Sequence, residues 1–95
     1  MSAKDILAAV AQHMSCDKKE LLKAQRGKGA DNTGRLIAMK LCQEQGSMKL
    51  SEMAQLFGVG SDSAISRAIS RFSAELMENS IKRDLYKCID QDLTP

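Results

Sequence analysis

The sequence predicts an all-α domain, and three observations carry that reading. Strands favour aromatic and β-branched side chains, yet aromatic residues are only 3% of the chain: Phe57, Phe72 and Tyr86, with no Trp. Val occurs only at positions 10 and 59. Ala, Leu, Met, Lys, Glu and Gln, all good helix formers, dominate instead. Apolar residues also recur at helical spacing, most clearly at Ile65, Ala68, Ile69, Phe72 and Leu76. Ninety-five residues suit one small core, so a single domain over 1–95 is expected. With 43% hydrophobic and 27% charged residues, the composition is that of an ordinary soluble globular domain.

Taken in order, Ile6, Leu7, Val10 and Met14 form a stripe that predicts a helix over Ala3 to Met14. Ser2 is its expected N-cap, and Asp5 in the first turn suits the helix dipole. Ser15-Cys16-Asp17 reads as a break, with Ser15 or Asp17 capping a short helix through Leu21, Leu22 and Ala24. Gln25 to Asn32, with two glycines and two basic residues, reads as a loop. Thr33 or Asn32 caps the next helix, which runs through Ile37 and Leu41 to about Gln45 and ends at Gly46. Leu50, Met53, Ala54 and Phe57 mark a compact helix closed by Gly58. A longer helix follows Gly60 and Ser61. Asn79-Ser80 interrupts it, and Ile81 to Ile89 forms the last helix, with Leu85, Tyr86, Cys88 and Ile89 as its apolar residues. Six helices of uneven length around one core are expected.

Several function classes are disfavoured at once. No window approaches the ~18 apolar residues of a membrane span, and Lys4 and Asp5 fall where a signal peptide would begin its apolar stretch. Cys16, Cys42 and Cys88 are odd in number and far apart, which argues against a disulfide framework or a zinc site and for a reducing cytoplasm. Cys42 and Cys88 are expected in the core, and Met14, Met39, Met48 and Met53 as core filler. His13, the one histidine, has no nucleophile constellation around it and reads as a surface or boundary residue. No enzyme, cofactor, metal or small-molecule substrate is expected. The missing rings also argue against single-strand binding on aromatic platforms.

The net charge of +2 hides an asymmetry. Between Lys18 and Lys49 eight basic residues face three acidic ones, a local +5, and the remainder carries −3. A localised positive field is the footprint of a phosphate-binding surface.

Positions 50–71 sharpen that hint into a helix-turn-helix. The geometry needs a small residue where the two helices cross and a glycine able to take positive φ at the turn; Ala54 and Gly58 supply them. On the second helix the residues not used by the core are Ser63, Ser66, Arg67, Ser70 and Arg71. Ser61 and Ser63 stand at a helix N-terminus, where free amides and hydroxyls bond phosphate. Arg67 suits a guanine edge or a phosphate. Asp62 is out of place: a carboxylate there repels the DNA backbone unless it caps the helix or accepts from a cytosine amine.

From Asp5 to about Ile89 the chain resembles the C-terminal DNA-binding domain of the bacterial replication initiator DnaA. The likeness lies in Ile6-Leu7-x-x-Val10-Ala11, in Arg35-Leu36-Ile37-Ala38-Met39-x-Leu41, and in Leu50-x-Glu52-Met53-x-x-x-Phe57-Gly58. The resemblance implies a six-helix, Trp-repressor-like helix-turn-helix domain. It departs from the family where the initiator's signature reads Gly-Arg-Asp-His-Thr-Thr-Val, because the chain has Val59-Gly60-Ser61-Asp62-Ser63-Ala64-Ile65. Recognition of an initiator box is therefore not implied. Ser63-Ala64-Ile65-Ser66-Arg67-Ala68-Ile69 is instead similar to the Ser-x-Val-Ser-Arg-Ala-Val pattern of DnaA-like domains attached to REP-associated tyrosine transposases. The family's basic loop corresponds to Arg26-Gly27-Lys28-Gly29, followed by Arg35.

The expected function is thus a double-stranded DNA-binding module, favoured as a monomer. The helix from Ser61 would enter the major groove, Arg26, Lys28 and Arg35 would hold phosphate or reach the minor groove, and Lys49 would add a phosphate contact. The alternative is an interaction domain that keeps the fold but has lost sequence-specific DNA recognition.

Overall fold

The computed structural model describes residues 2–23 and 32–93. Six helices are found among them: α1 (Ala3–Met14), α2 (Lys18–Leu21), α3 (Thr33–Glu44), α4 (Leu50–Leu56), α5 (Asp62–Glu78) and α6 (Ser80–Leu93). No strand occurs among the described residues, so the domain is all-α. No described helix is long and apolar enough to cross a membrane. The loop expected over Gln25 to Asn32 lies almost wholly outside the described residues.

Packing follows the apolar stripes. The inner face of α1 sets Ile6 and Val10 against α3, whose Ile37 and Leu41 are fully buried. α4 and α5 pack on each other and on α3, with Met53, Phe57, Ile65 and Phe72 fully buried. Ile89 of α6 closes the core. Burying each such side chain is worth roughly 1.5–3 kcal/mol. Met39 and Met53 fill the core as expected, while Met14 and Met48 pack partly buried at its edge.

Local signals explain most boundaries. Ser2 caps α1 by accepting from the Asp5 amide at 3.3 Å. Asp17 precedes α2 but its side chain makes no capping bond. At α4 the Glu52 carboxylate accepts from the Lys49 amide at 3.1 Å. That is one half of a capping box, since an ammonium at the cap position has no lone pair to complete it. Asn79, the single residue between α5 and α6, accepts from the Lys82 amide and so starts α6. Arg83 donates back to the Leu76 and Met77 carbonyls at 2.9 and 2.7 Å, satisfying the end of α5. α6 therefore begins at Ser80, one residue before the expected Ile81, and runs four residues past Ile89.

One expectation needs correcting. Cys88 is exposed rather than core, because α6 turns only a narrow face inward and Ile89 alone is fully enclosed there. Gly46 follows the end of α3 where expected, and the left-handed residue there is Ser47 (φ 52°). Gly46 is required by space instead, since a Cβ there would lie 2.8 Å from the Cys42 carbonyl oxygen.

Side-chain bonds tie the outer helices together. Lys40 of α3 pairs with Glu44 at 2.6 Å, donates to Ser73 of α5 at 3.0 Å and lies over the Tyr86 ring of α6. Tyr86 donates to Glu44 at 3.0 Å, and burial pushes its hydroxyl well above the usual phenol range. His13 pairs with Asp92, joining α1 to α6.

The three thiols differ enough to be separated in solution. Burial pushes Cys42 up to about 11, and Cys16, half-buried, is raised by burial and by Glu20 and Asp17. In native protein at neutral pH a maleimide reagent labels Cys88 first and Cys16 more slowly. Cys42 reacts only at the rate of unfolding, as mass spectrometry of quenched samples reports.

Candidate nucleic-acid interface

The α4–turn–α5 unit is built around its bend. α4 ends at Leu56, and Gly58 takes φ +66°, which costs a residue with a Cβ about 1–2 kcal/mol. The Val59 amide then donates to the Ala54 carbonyl at 2.8 Å and the Gly58 amide to Gln55 at 3.4 Å. Those two bonds are a complete Schellman motif. A Cβ at Gly58 would touch nothing within 4 Å, so dihedral angle alone fixes the glycine. Ala54, small and buried, lies on the inner side of the unit as expected.

Arg35 locks this bend from below. Only 9% exposed, it donates through Nη2 to the Phe57 carbonyl at 2.8 Å, with its guanidinium 5.5 Å from the centre of the Phe57 ring. The bond satisfies a carbonyl at the end of α4 that has no helical partner. Burial lowers the pKa of Arg35, and its Nη1 has no hydrogen-bond partner among the described residues. The sequence placed Arg35 on phosphate or in the minor groove. Its side chain is instead enclosed and holds α3 to the bend.

Beyond the bend, Ser61 caps α5 by accepting from the Ala64 amide at 3.2 Å. Its own hydroxyl hydrogen remains free to donate. The core takes Ile65, Ile69, Phe72 and Leu76, which turns Ser63, Ser66, Arg67, Ser70 and Arg71 to solvent. Ser63, Arg67, Ser70 and Ala74 follow one another at helical spacing as a ridge, with Arg71 beside it.

The described arginines divide cleanly. Arg35 and Arg83 are spent on backbone carbonyls. Arg67 and Arg71 are exposed and make no ion pair or hydrogen bond with the described residues. Lys49, exposed at the start of α4, adjoins Leu50. Leu50 forms one wall of a shallow groove of about 380 Å³ whose other wall is Asp62, Ser63, Ser66 and Arg67. The groove brings Ser63, Ser66 and Arg67 together; Lys49 is not part of its lining, and Ser70 and Arg71 continue the exposed α5 face beyond it. Arg26 and Lys28 lie outside the described residues.

Leu50 entered the sequence reading as a marker of the compact helix and as a position of the family motif, and nothing in that pattern says that it faces a groove. The Asn79 and Arg83 caps were likewise not foreseen, although Asn at a helix start is a capping signal.

Compared with known families and curated proteins, the chain matches no family model and no curated sequence.

Two substitutions test how the bend is held. Gly58→Ala lowers stability by about 1–2 kcal/mol through the left-handed dihedral alone. Arg35→Ala costs roughly 2 kcal/mol, because the buried Phe57 carbonyl loses its charged donor. Urea unfolding followed by circular dichroism measures both, and no loss at either position would contradict the account of the bend.

Proposed function

We propose that the chain is a double-stranded DNA-binding module of the helix-turn-helix kind, similar to the DnaA-like domains whose motifs it resembles. α5 enters the major groove, and α4 crosses the backbone with Lys49 on phosphate. The observation that carries this reading is the outward, unpaired state of Arg67 and Arg71 beside three serine hydroxyls on one face of α5. Guanidinium groups kept free of carboxylates on a helix that also offers hydroxyls suit base edges and phosphates. The α5 N-terminus adds partial positive charge at the same end. Arg26 and Lys28 supply the loop contacts that the resemblance implies. Arg35 acts on DNA only by fixing the angle at which α5 stands.

A second reading, a protein-interaction domain, is favoured by a different place. Met77 and Ile81 are 79% and 81% exposed at the α5–α6 junction, beside a groove lined by Leu76, Met77 and Arg83.

The two readings separate by salt titration and substitution. Neutralising about 4–6 phosphates gives a log–log slope of affinity against salt of about −3.6 to −5.4. Lys28→Ala and Lys49→Ala weaken binding to all duplexes alike and each reduces the slope by about one. Arg67→Ala lowers discrimination between sequences more than it lowers binding to random DNA. Fluorescence anisotropy with labelled duplexes reads all three. Equal effects of every substitution on every sequence would reject the assigned roles, and no binding at low salt would favour the interaction domain.

A further inference from the structure

We infer that copies of this chain associate weakly head to tail, the α5–α6 junction of one copy seating on the lysine face of α2 of the next. The inference goes beyond the DNA-binding reading and does not depend on it. Met77 and Ile81, on either side of Asn79, are 79% and 81% exposed, and no other large apolar side chain is left exposed among the described residues. A shallow groove of about 370 Å³, lined by Leu76, Met77 and Arg83, opens at the same place.

The charges around this patch are of two kinds. Arg83 is turned back onto the Leu76 and Met77 carbonyls, and Lys82 pairs with Glu75. Glu78 and Asp84, by contrast, are exposed and make no ion pair or hydrogen bond with the described residues. Asp84 follows Ile81 by about one turn of α6 and shares its face. The junction is therefore apolar surface rimmed by free carboxylates. Two such surfaces do not suit each other, because a two-fold contact sets each patch against its own copy and brings carboxylate toward carboxylate. A surface of opposite sign suits it.

α2 supplies that surface. Lys18, Lys19 and Lys23 are exposed and form no ion pair with the described residues, and the proposed DNA contacts use none of them. Leu22 continues α2 in helical conformation and is only partly buried. Helical spacing places it between Lys18 and Lys19, on the side away from Glu20, which lines a separate hollow with Asp17 and Cys16. Lysine stems lie along apolar surface while their ammonium groups reach a charged rim, so this face matches Ile81 and Asp84 in both respects. α2 packs on α1 and α3 and touches neither α5 nor α6, so the two surfaces of one copy do not satisfy each other. A pair of apolar anchors is far less than the ~20–30 residues a side of a standard interface. The contact accordingly has a Kd on the order of 0.1–1 mM, and the domain is a monomer at micromolar concentration.

The test is a concentration series of the isotope-labelled domain without DNA, followed by amide chemical shifts up to about 2 mM protein, above the expected Kd. Wild-type protein is expected to show shifts at 18–23 and 77–84 together, diminished by added salt. Asp84→Lys and Lys19→Asp each weaken self-association by about three- to ten-fold, because each sets like charges opposite one another. An equimolar mixture of the two variants regains it, since each brings a surface that complements the other. Ile81→Ser weakens it as well, by removing an apolar anchor. All three positions are helical, and circular dichroism verifies that the variants are folded. Shifts at 77–84 alone, a mixture that associates no better than either variant, or no concentration dependence anywhere overturns the inference. The DNA-binding reading survives each of these results, because duplex binding is measured separately at micromolar protein.

Discussion

The contact between the Arg35 guanidinium and the Phe57 carbonyl carries the largest structural responsibility in this domain. Phe57 sits where α4 stops, and the Schellman bonds at Gly58 consume the backbone groups that would otherwise continue the helix. Arg35 adds a charged donor from α3 at the same point and lays its guanidinium near the Phe57 ring. A buried guanidinium is costly to desolvate, so its persistence depends on the carbonyl it satisfies. The angle between α4 and α5, and hence the attitude of the α5 ridge, follows from this one locked bend.

Around that bend the remaining helices form a rigid mount. Lys40, Glu44, Ser73 and Tyr86 link α3, α5 and α6, and Gln45 donates to Asp90 at 2.8 Å. Because these bonds lie away from the outer face of α5, the serines and arginines there are left uncommitted. Charge on the helices is thus divided between tying the domain together and standing free for a partner.

Much of the fold was legible in the sequence because it depends on short-range rules. The period of Ile65, Ile69, Phe72 and Leu76 fixes which side of α5 is buried, and with it which side chains face solvent. Ser2, Ser61 and Gly58 act within three or four residues of where the pattern places them. What escaped depends on contacts distant in sequence. Arg35 looks like a surface cation until Phe57, 22 residues later, is brought against it. Cys88 sits at an apolar position of the helical pattern, yet the inward arc of α6 is too narrow to cover it. Gly46 follows the usual stop signal in composition, while its actual constraint is the nearby Cys42 carbonyl. The candidate site was legible on α5, where periodicity governs exposure, and illegible at Leu50, whose role as a groove wall comes from the crossing of two helices.

The central claim is that the outer face of α5, held by the bend, meets duplex DNA. Amide chemical-shift mapping of the isotope-labelled domain, titrated with a random duplex at low salt, tests it most directly. The account predicts shifts concentrated at 26–28, 49–51, 61–67 and 70–71, reversed by added salt. Shifts confined to the α5–α6 junction around Met77 and Ile81, or none anywhere, would contradict it.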